Sequence, residues 1–423
     1  MTTALCVSIE ASGDLLLAEL IKLCISQCTS DLTLIGIGGE YSQRLGLNSF
    51  LDPRELAAHG FTEAMSVLSK TIKAVKQLKR LCREADILLL VDAPEINLRL
   101  VKWVRSHQDK RLRTLPIIYL APPQAWAWRA KRVQAIALAN EVACLFPFET
   151  DWMKARGVNA HYVGHPLVAL ADRFTLSKQR RDLPSSLKVA LFPGSRRSSV
   201  RRALPISLEG VALYIDQSLT PLPSNIHLQL AHSAWIDDQL YLQTIKSFHT
   251  QLIKKRWKPQ NRSKSLDDDQ KLAETYTWTS QTNVSLTLRI CKHSPLRGPS
   301  VHSALIDSEF AICHAGTATL ECALAGVPPL VIAPLSWLSQ VIIKRLITIK
   351  HCSLPNLCLD ERIFPELSLD QCTASAVSSA MTELCSNSQY LHDATRRLRA
   401  KLTPLRTDLL ERVLVPYLHR STL

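Results

Sequence analysis

At 423 residues, 46% hydrophobic and 21% charged, the chain is too long for one ordinary core and has the composition of a folded protein, which excludes intrinsic disorder and makes two domains the expectation. A formal charge of +14 points to an anionic partner: a membrane surface, a phosphate-bearing substrate or nucleic acid. No RNP-like, zinc-finger or helix-turn-helix signature accompanies that charge, so nucleic acid is not expected among the partners.

The first 150 residues alternate short apolar runs with helical patterns, the mark of a doubly wound parallel sheet. Ala4 to Ile9 reads as the first strand, running into Glu10-Ala11-Ser12-Gly13-Asp14 and a helical stretch from Leu15 to Cys28. The acids Glu10 and Asp14 interrupt the opening apolar stretch and no basic segment precedes it, which argues against a signal peptide and for a cytoplasmic location. Leu32 to Ile37 is the second strand. From Met65 to Leu81, Val67, Leu68, Ile72, Val75 and Leu78 recur at helical spacing among Lys70, Lys73, Lys76, Lys79 and Arg80. Such a basic amphipathic helix either lies on anionic lipid or packs as an ordinary surface helix. Asp86 to Val91, Leu115 to Leu120 and Val142 to Phe146 complete the strands of this half.

The polar run Ser177 to Ser186 reads as a linker. Beyond it Val189 to Phe192, Ile226 to Leu230, Phe310 to Cys313 and Pro329 to Ile332 are strands of a second series. Between Lys254 and Gln281 the composition turns polar, as in a surface insertion or a disordered loop. The most apolar stretch, Ala323 to Leu338, is broken by Pro328, Pro329 and Pro334, so it reads as a buried strand and loop and not as a membrane span. The end, from Thr395, is basic and helical with a break at Pro404. The twelve cysteines include no C-x-x-C pair and read as reduced, buried thiols, so neither a metal site nor a cofactor is expected.

Four clusters follow strands, where ligands collect in such sheets. Asp92, in Val91-Asp92-Ala93-Pro94, is either a general base or a turn cap, with Glu10 and Asp14 as rival acids. Trp126, Trp128 and Arg129, in a Pro- and Trp-rich loop, form either a platform for substrate or a packed loop. Gly194, Ser195 and Arg196 offer amides, a helix dipole and a guanidinium fork to phosphate, or simply make a turn. Gly316 and Thr317 repeat that arrangement, with Glu321 one turn further on, placed to accept from ribose hydroxyls. Together the last two suggest a nucleotide diphosphate. The absence of G-x-x-x-x-G-K-[ST] and of an opening G-x-G-x-x-G excludes a P-loop NTPase and argues against a nicotinamide enzyme. His165 reads as a structural histidine.

EASGD at the start, LAAHGFTEAM (Leu56 to Met65), VDAPEINL, WAWRAKRV, LFPFE (Leu145 to Glu149), YVGHPL, LFPGSR, GTATLEC and SLPN (Ser353 to Asn356), in this order, resemble the lipid-A-disaccharide synthase family. The resemblance implies an α/β protein of two Rossmann-like doubly wound domains facing a cleft, the B-type glycosyltransferase fold. It assigns residues 1–176 to an acceptor- and membrane-contacting domain and 187–394 to a UDP-sugar-binding domain with an insertion at about 254–281. Residues 395–423 become a helical segment packing back on the first domain.

The same resemblance implies a metal-independent, inverting transfer of 2,3-diacylglucosamine from UDP-2,3-diacylglucosamine to 2,3-diacylglucosamine 1-phosphate (lipid X), giving the β-1′,6-linked disaccharide of lipid A and UDP. Asp92 falls on the catalytic base, with Glu10, Ser12 and Gly13 beside it in the first loop. Gly194, Ser195 and Arg196 would steady the diphosphate, Gly316, Thr317 and Glu321 the rest of the nucleotide, and Asn356 would line the same cleft. Trp126, Trp128 and Arg129 would serve the acceptor. The helix after Met65 would rest on the cytoplasmic leaflet of the inner membrane, making the enzyme cytoplasmic and peripherally membrane-bound. Oligomeric state stays open, a homodimer being one option. Departures from the pattern are Ser199 where an acid is usual, Ala315 where Ser is usual, and one extra residue in APPQA. They keep two alternatives alive: another UDP-sugar-dependent B-type glycosyltransferase, or a non-catalytic membrane-bound relative.

Overall fold

The run Ile87–Val91 (ILLLV) shows no alternation of apolar and polar residues because helices cover both faces of a parallel sheet, and all five side chains are buried. A computed structural model describes residues 2–28, 31–57, 64–169, 186–233, 236–260, 263–266, 272–292, 300–334, 349–386 and 388–418. It divides into one unit of Met1–Pro166, Leu346–Ile349 and Leu402–Leu423, and a second of Leu167–Arg345 and Lys350–Lys401.

In the first unit the strands are β1 (Thr2–Val7), β2 (Leu32–Ile37), β3 (Asn48–Ser49), β4 (Ile87–Val91), β5 (Ile117–Leu120), β6 (Glu141–Cys144) and β7 (Ala160–Tyr162). They lie in the order β3-β2-β1-β4-β5-β6-β7, each parallel to its neighbours. Helices α1 (Ala11–Gln27), α2 (Glu40–Arg44), α3 (Arg54–Ala57), α4 (Ala64–Leu81), α5 (Pro94–Arg105), α6 (Lys110–Arg113), α7 (Val133–Ile136) and α8 (Pro147–Lys154) connect them. Leu5, Val7, Leu88, Leu90 and Tyr119 from the sheet pack with Leu78, Val101 and Val104 from α4 and α5. The order reverses between β1 and β4, which makes the carboxyl ends of those two strands the natural crevice for a ligand.

The second unit contains β8 (Ser186–Phe192), α9 (Arg197–Gln217), β9 (Asn225–Ala231), α10 (Asp238–Lys254), β10 (Lys258–Pro259), β11 (Ser263–Leu266), β12 (Leu272–Thr279) and β13 (Ser285–Cys291). It continues with α11 (Ser300–Leu305), β14 (Phe310–His314), α12 (Thr317–Leu324), β15 (Pro329–Ala333), α13 (Leu354–Leu359), β16 (Glu366–Ser368), α14 (Ala374–Ser386) and α15 (Ser388–Lys401). The parallel strands run β13-β9-β8-β14-β15-β16, the same topology as β3-β2-β1-β4-β5-β6. Here the reversal falls between β8 and β14.

The polar stretch after Lys254 is not simply a loop. Where described, it forms β10, β11 and β12, an antiparallel extension that joins the sheet through β13. Residues 261–262 and 267–271 of it lie outside the described residues. Two tryptophans bolt the extension down. Trp278 is buried and donates from Nε1 to Nδ1 of His249 at 2.9 Å, while the Nε1 of Trp257 donates to Asp216 at 3.0 Å. A polar average over the stretch concealed its β-prone T-Y-T-W-T run.

The final helix α16 (Thr407–Leu418) belongs to the first unit, with Leu410, Val413 and Leu414 buried. The link before it pairs with the His165 segment, whose amide donates to the Thr403 carbonyl at 2.9 Å. Gly164 permits this approach, since a Cβ there would stand 2.0 Å from the Pro404 carbonyl oxygen. All twelve cysteines are free thiols.

Candidate functional site

Asp92 leaves β4 in a strained turn. Both it and Ala93 are left-handed, at φ 44° and 47°, a conformation that costs roughly 1–2 kcal/mol per non-glycine residue. Two donors grip the carbonyl between them. The Tyr119 hydroxyl of β5 donates to it at 2.5 Å and the Asn97 side chain of α5 at 2.9 Å. Asn97 also donates to the Val91 carbonyl at 3.2 Å. The turn leaves the Asp92 side chain half-buried at the carboxyl end of β4, beside the loop after β1 that carries Glu10.

In that neighbouring loop the sequence candidates separate. Glu10, half-buried, and Ser12, exposed, begin α1 at the carboxyl edge. Gly13 is buried, and a Cβ on it would stand 2.6 Å from Ser8 Oγ, so its smallness serves the close approach of α1 to the sheet. Asp14 is no rival base. Its buried carboxylate accepts from the amides of Gly39 at 2.8 Å and Tyr41 at 2.9 Å, and from the Ser42 hydroxyl. An acid so saturated holds the β2–α2 loop in place.

The two tryptophans also separate. Trp126 is buried, packs edge-on against Phe148 and donates from Nε1 to Glu149 at 3.1 Å. This corrects the expectation of a paired platform, because the indole is spent on the interior. Trp128 is 37% exposed, with the guanidinium groups of Arg129 and Arg132 at 4.5 and 4.8 Å from its ring. Glu149, 2% exposed, lies outside the site residues that the sequence suggests. Burial pushes its carboxyl up to about 7, against the Trp126 hydrogen bond and nearby backbone amides, and with a small upward push from the Asp92 charge. It follows β6, and only a buried acid inside the LFPFE segment hinted at it.

His165 is buried, with its ring tilted against Phe146 at a centroid distance of 5.2 Å; burial pushes its imidazole down to about 4. This is a structural histidine. In α4, Ala74, Val75 and Leu78 face the core, whereas Ile72, Lys73, Lys76 and Arg80 are exposed. Part of the apolar stripe therefore serves packing, and only Ile72 of the described stripe looks outward. The side chains of 64–68, and residues 58–63 of the LAAHGFTEAM segment, lie outside the described residues.

In the second unit both phosphate-type turns flank the reversal between β8 and β14. Gly194 follows β8 at φ 106°, and a Cβ on it would stand 2.7 Å from Cβ of Ser199 and 3.4 Å from Cγ of His314. The fold thus brings Gly194, at the start of one turn, against His314, at the start of the other, although they lie far apart in sequence. Exposed Ser195 and Arg196 lead into α9, and exposed Gly316 and Thr317 into α12. Both helix N-termini open at the same edge of the sheet, and their amides and dipoles favour an anion. Thr319 closes the second turn, its hydroxyl donating to the Gly316 carbonyl at 2.7 Å. Glu321 is buried in α12. Burial lowers the His314 pKa below the usual histidine range; the Ala315 carbonyl opposes this and the Arg196 charge adds to it.

Asn356 does not line a cleft. It is wholly buried; its Nδ2 donates to the Phe364 carbonyl and to Glu366, both at 2.9 Å, while its Oδ1 accepts from the amides of Ile363 and Phe364 at 3.1 and 3.0 Å. With donor and acceptor both engaged, it organises the SLPN turn around Glu366.

With this geometry in place, the sequence profile described as lipid-A-disaccharide synthetase matches residues 4–257 and 279–412. The chain belongs to that family. A lipid-A-disaccharide synthase of Geobacter metallireducens is 30% identical over 417 residues, covering 95% of this chain and 91% of that protein. Lipid-A-disaccharide synthase 1 of Legionella pneumophila is 29% identical over 388 residues, covering 89% and 86%. The family is one of glycosyltransferases. Solved structures place the fold more broadly. The S. aureus MnaA structure with UDP has a TM-score of 0.57 at 11% identity, covering 98% of this chain and 95% of that one. The trehalose-phosphate synthase of Burkholderia vietnamiensis has 0.52 at 10% identity, covering 100% of both. Two Rossmann-like domains, of the kind found in the B-type glycosyltransferase fold, account for the two sheets. The family match breaks off over the β10–β12 extension and resumes within β12. Among the described residues no helix is long and apolar enough to cross a membrane.

Proposed function

We propose that this chain transfers 2,3-diacylglucosamine from its UDP-linked form to the 6-hydroxyl of 2,3-diacylglucosamine 1-phosphate, forming the β-1′,6 bond of the lipid A disaccharide. The observation that carries this reading is the family match through residues 4–257 and 279–412, which takes in the loops at both strand-order reversals. Asp92 removes the proton as the acceptor oxygen attacks the donor carbon. Glu10 and Ser12 orient the acceptor beside it, and Trp128 with Arg129 offers the acceptor a face. The bond from the donor carbon to the diphosphate breaks on the side opposite the attack, which inverts that carbon. Charge developing on departing UDP is met by the Gly194–Arg196 turn and the α9 dipole. Gly316, Thr317 and Glu321 hold the remainder of the nucleotide. No metal or cofactor takes part in these steps.

The protein reaches its acylated substrates from the cytoplasmic leaflet, with Lys73, Lys76 and Arg80 of α4 against anionic headgroups and Ile72 dipping among them. A second reading, nucleotide binding without transfer, rests on Ser199 and Ala315 at positions where the family carries an acid and a serine. Turnover of purified protein with both lipid substrates in mixed micelles containing EDTA separates the two. UDP release coupled to disaccharide supports transfer; UDP binding without product supports the second reading.

A further inference from the structure

We propose that Tyr119 and Asn97 are positioning residues for Asp92, two buried donors that grip one peptide carbonyl and so hold the acid's strained turn. The inference rests on the reading of Asp92 as the base. Tyr119 stands in a strand, IIYL, in which every side chain is buried, and is itself 0% exposed. A phenylalanine would fill that space equally well, so the hydroxyl needs a reason to be there. It donates to the Asp92 carbonyl at 2.5 Å. Asn97, also 0% exposed, sends its Nδ2 to the same oxygen at 2.9 Å.

The two donors come from different elements. Tyr119 ties the Asp92–Ala93 peptide to β5, and Asn97 ties it to α5, the helix that this peptide starts. Burial also holds the Tyr119 phenol well above its ordinary pKa, so it keeps its proton and remains a donor. The gripped peptide lies between two left-handed residues, at φ 44° and 47°. Such a pair persists only where its surroundings enforce it. Released from both donors, the peptide rotates toward an ordinary turn and carries the Asp92 carboxylate away from its aim at the carboxyl edge. A displacement of about 1 Å at a reacting group is enough to cost on the order of a hundredfold in rate.

The test compares Tyr119→Phe, Asn97→Ala and Asp92→Ala for kcat, KM for both substrates, UDP affinity and thermal midpoint. Tyr119→Phe is expected to lose about ten- to a hundredfold in kcat, with both KM values within about twofold of the unaltered protein. A general loss of structure would instead lower activity in step with the folded fraction and disturb UDP affinity. A folded Tyr119→Phe with undiminished kcat, beside an inactive Asp92→Ala, overturns the inference alone. Should Tyr119→Phe fail to fold, Asn97→Ala decides by the same criteria. An Asp92→Ala variant that turns over normally overturns the base assignment, and this inference with it.

Discussion

Replacing Glu149 by Gln isolates the price of keeping an acid in the interior. Burial raises this carboxyl from 4.5 to about 7. At about 1.4 kcal/mol for each tenfold change in proton affinity, that rise corresponds to about 3 kcal/mol. The sign follows from proton uptake. Between the two values the folded state binds the proton more firmly than the unfolded chain, so stability is greatest below about 4.5 and falls as pH rises to about 7. Glutamine cannot titrate, and its Oε1 can still accept from Trp126. The opposing contribution of His165, pushed down to about 4 by burial, is lost as pH falls from about 6.5. It is common to both proteins and cancels in their difference. The thermal midpoint of Glu149→Gln should therefore gain on the unaltered protein from pH 5 to about pH 7 and level off above it. For a unit of this size the gain should approach about 6–12 °C, at roughly 2–4 °C per kcal/mol. Melting curves of the two proteins at four pH values are sufficient. A midpoint difference that does not change with pH would refute the assignment of a raised pKa to this buried acid.

Asp14→Ala strands three donors and should cost about 3–5 kcal/mol, read as a lowered urea midpoint; an unchanged midpoint would mean that the β2–α2 loop is held otherwise. Asn356→Ala should lower stability by about 2–4 kcal/mol while the remaining folded protein binds UDP normally; a selective loss of UDP affinity would return Asn356 to the site. Gly194→Ala forces a methyl group against Ser199 at a φ closed to alanine, and titration calorimetry should show UDP affinity reduced by roughly tenfold or more, about 1.4 kcal/mol. Neutralising Lys73, Lys76 and Arg80 to Gln should weaken sedimentation with anionic vesicles by about 3 kcal/mol in all, near a hundredfold. Unchanged sedimentation removes α4 from the membrane reading.

Much of the architecture was legible in residue order because its cause is local. Parallel strands covered on both faces must be apolar runs, so Ile87–Val91, Val189–Phe192 and Phe310–His314 announce themselves, and the loops after them carry Asp92, Gly194 and Gly316. The β10–β12 extension did not announce itself, since its strands are polar on average and are held by single tryptophans reaching His249 and Asp216. Residue type likewise placed acids and tryptophans near the right edge of the sheet without assigning their work. Asp14, Trp126 and Asn356 look like site residues in one dimension, and the tertiary structure turns each inward against partners that occupy its polar atoms. Nothing in residue order marks Tyr119 or Glu149 as a site residue, because what makes a buried hydroxyl or acid consequential is the group it meets across strands. The sequence by itself therefore determined the two sheets and the loops that bear the chemistry. Which polar side chains face a ligand and which hold those loops was decided only by packing, since hydrogen-bond saturation and burial are properties of neighbours brought together in space.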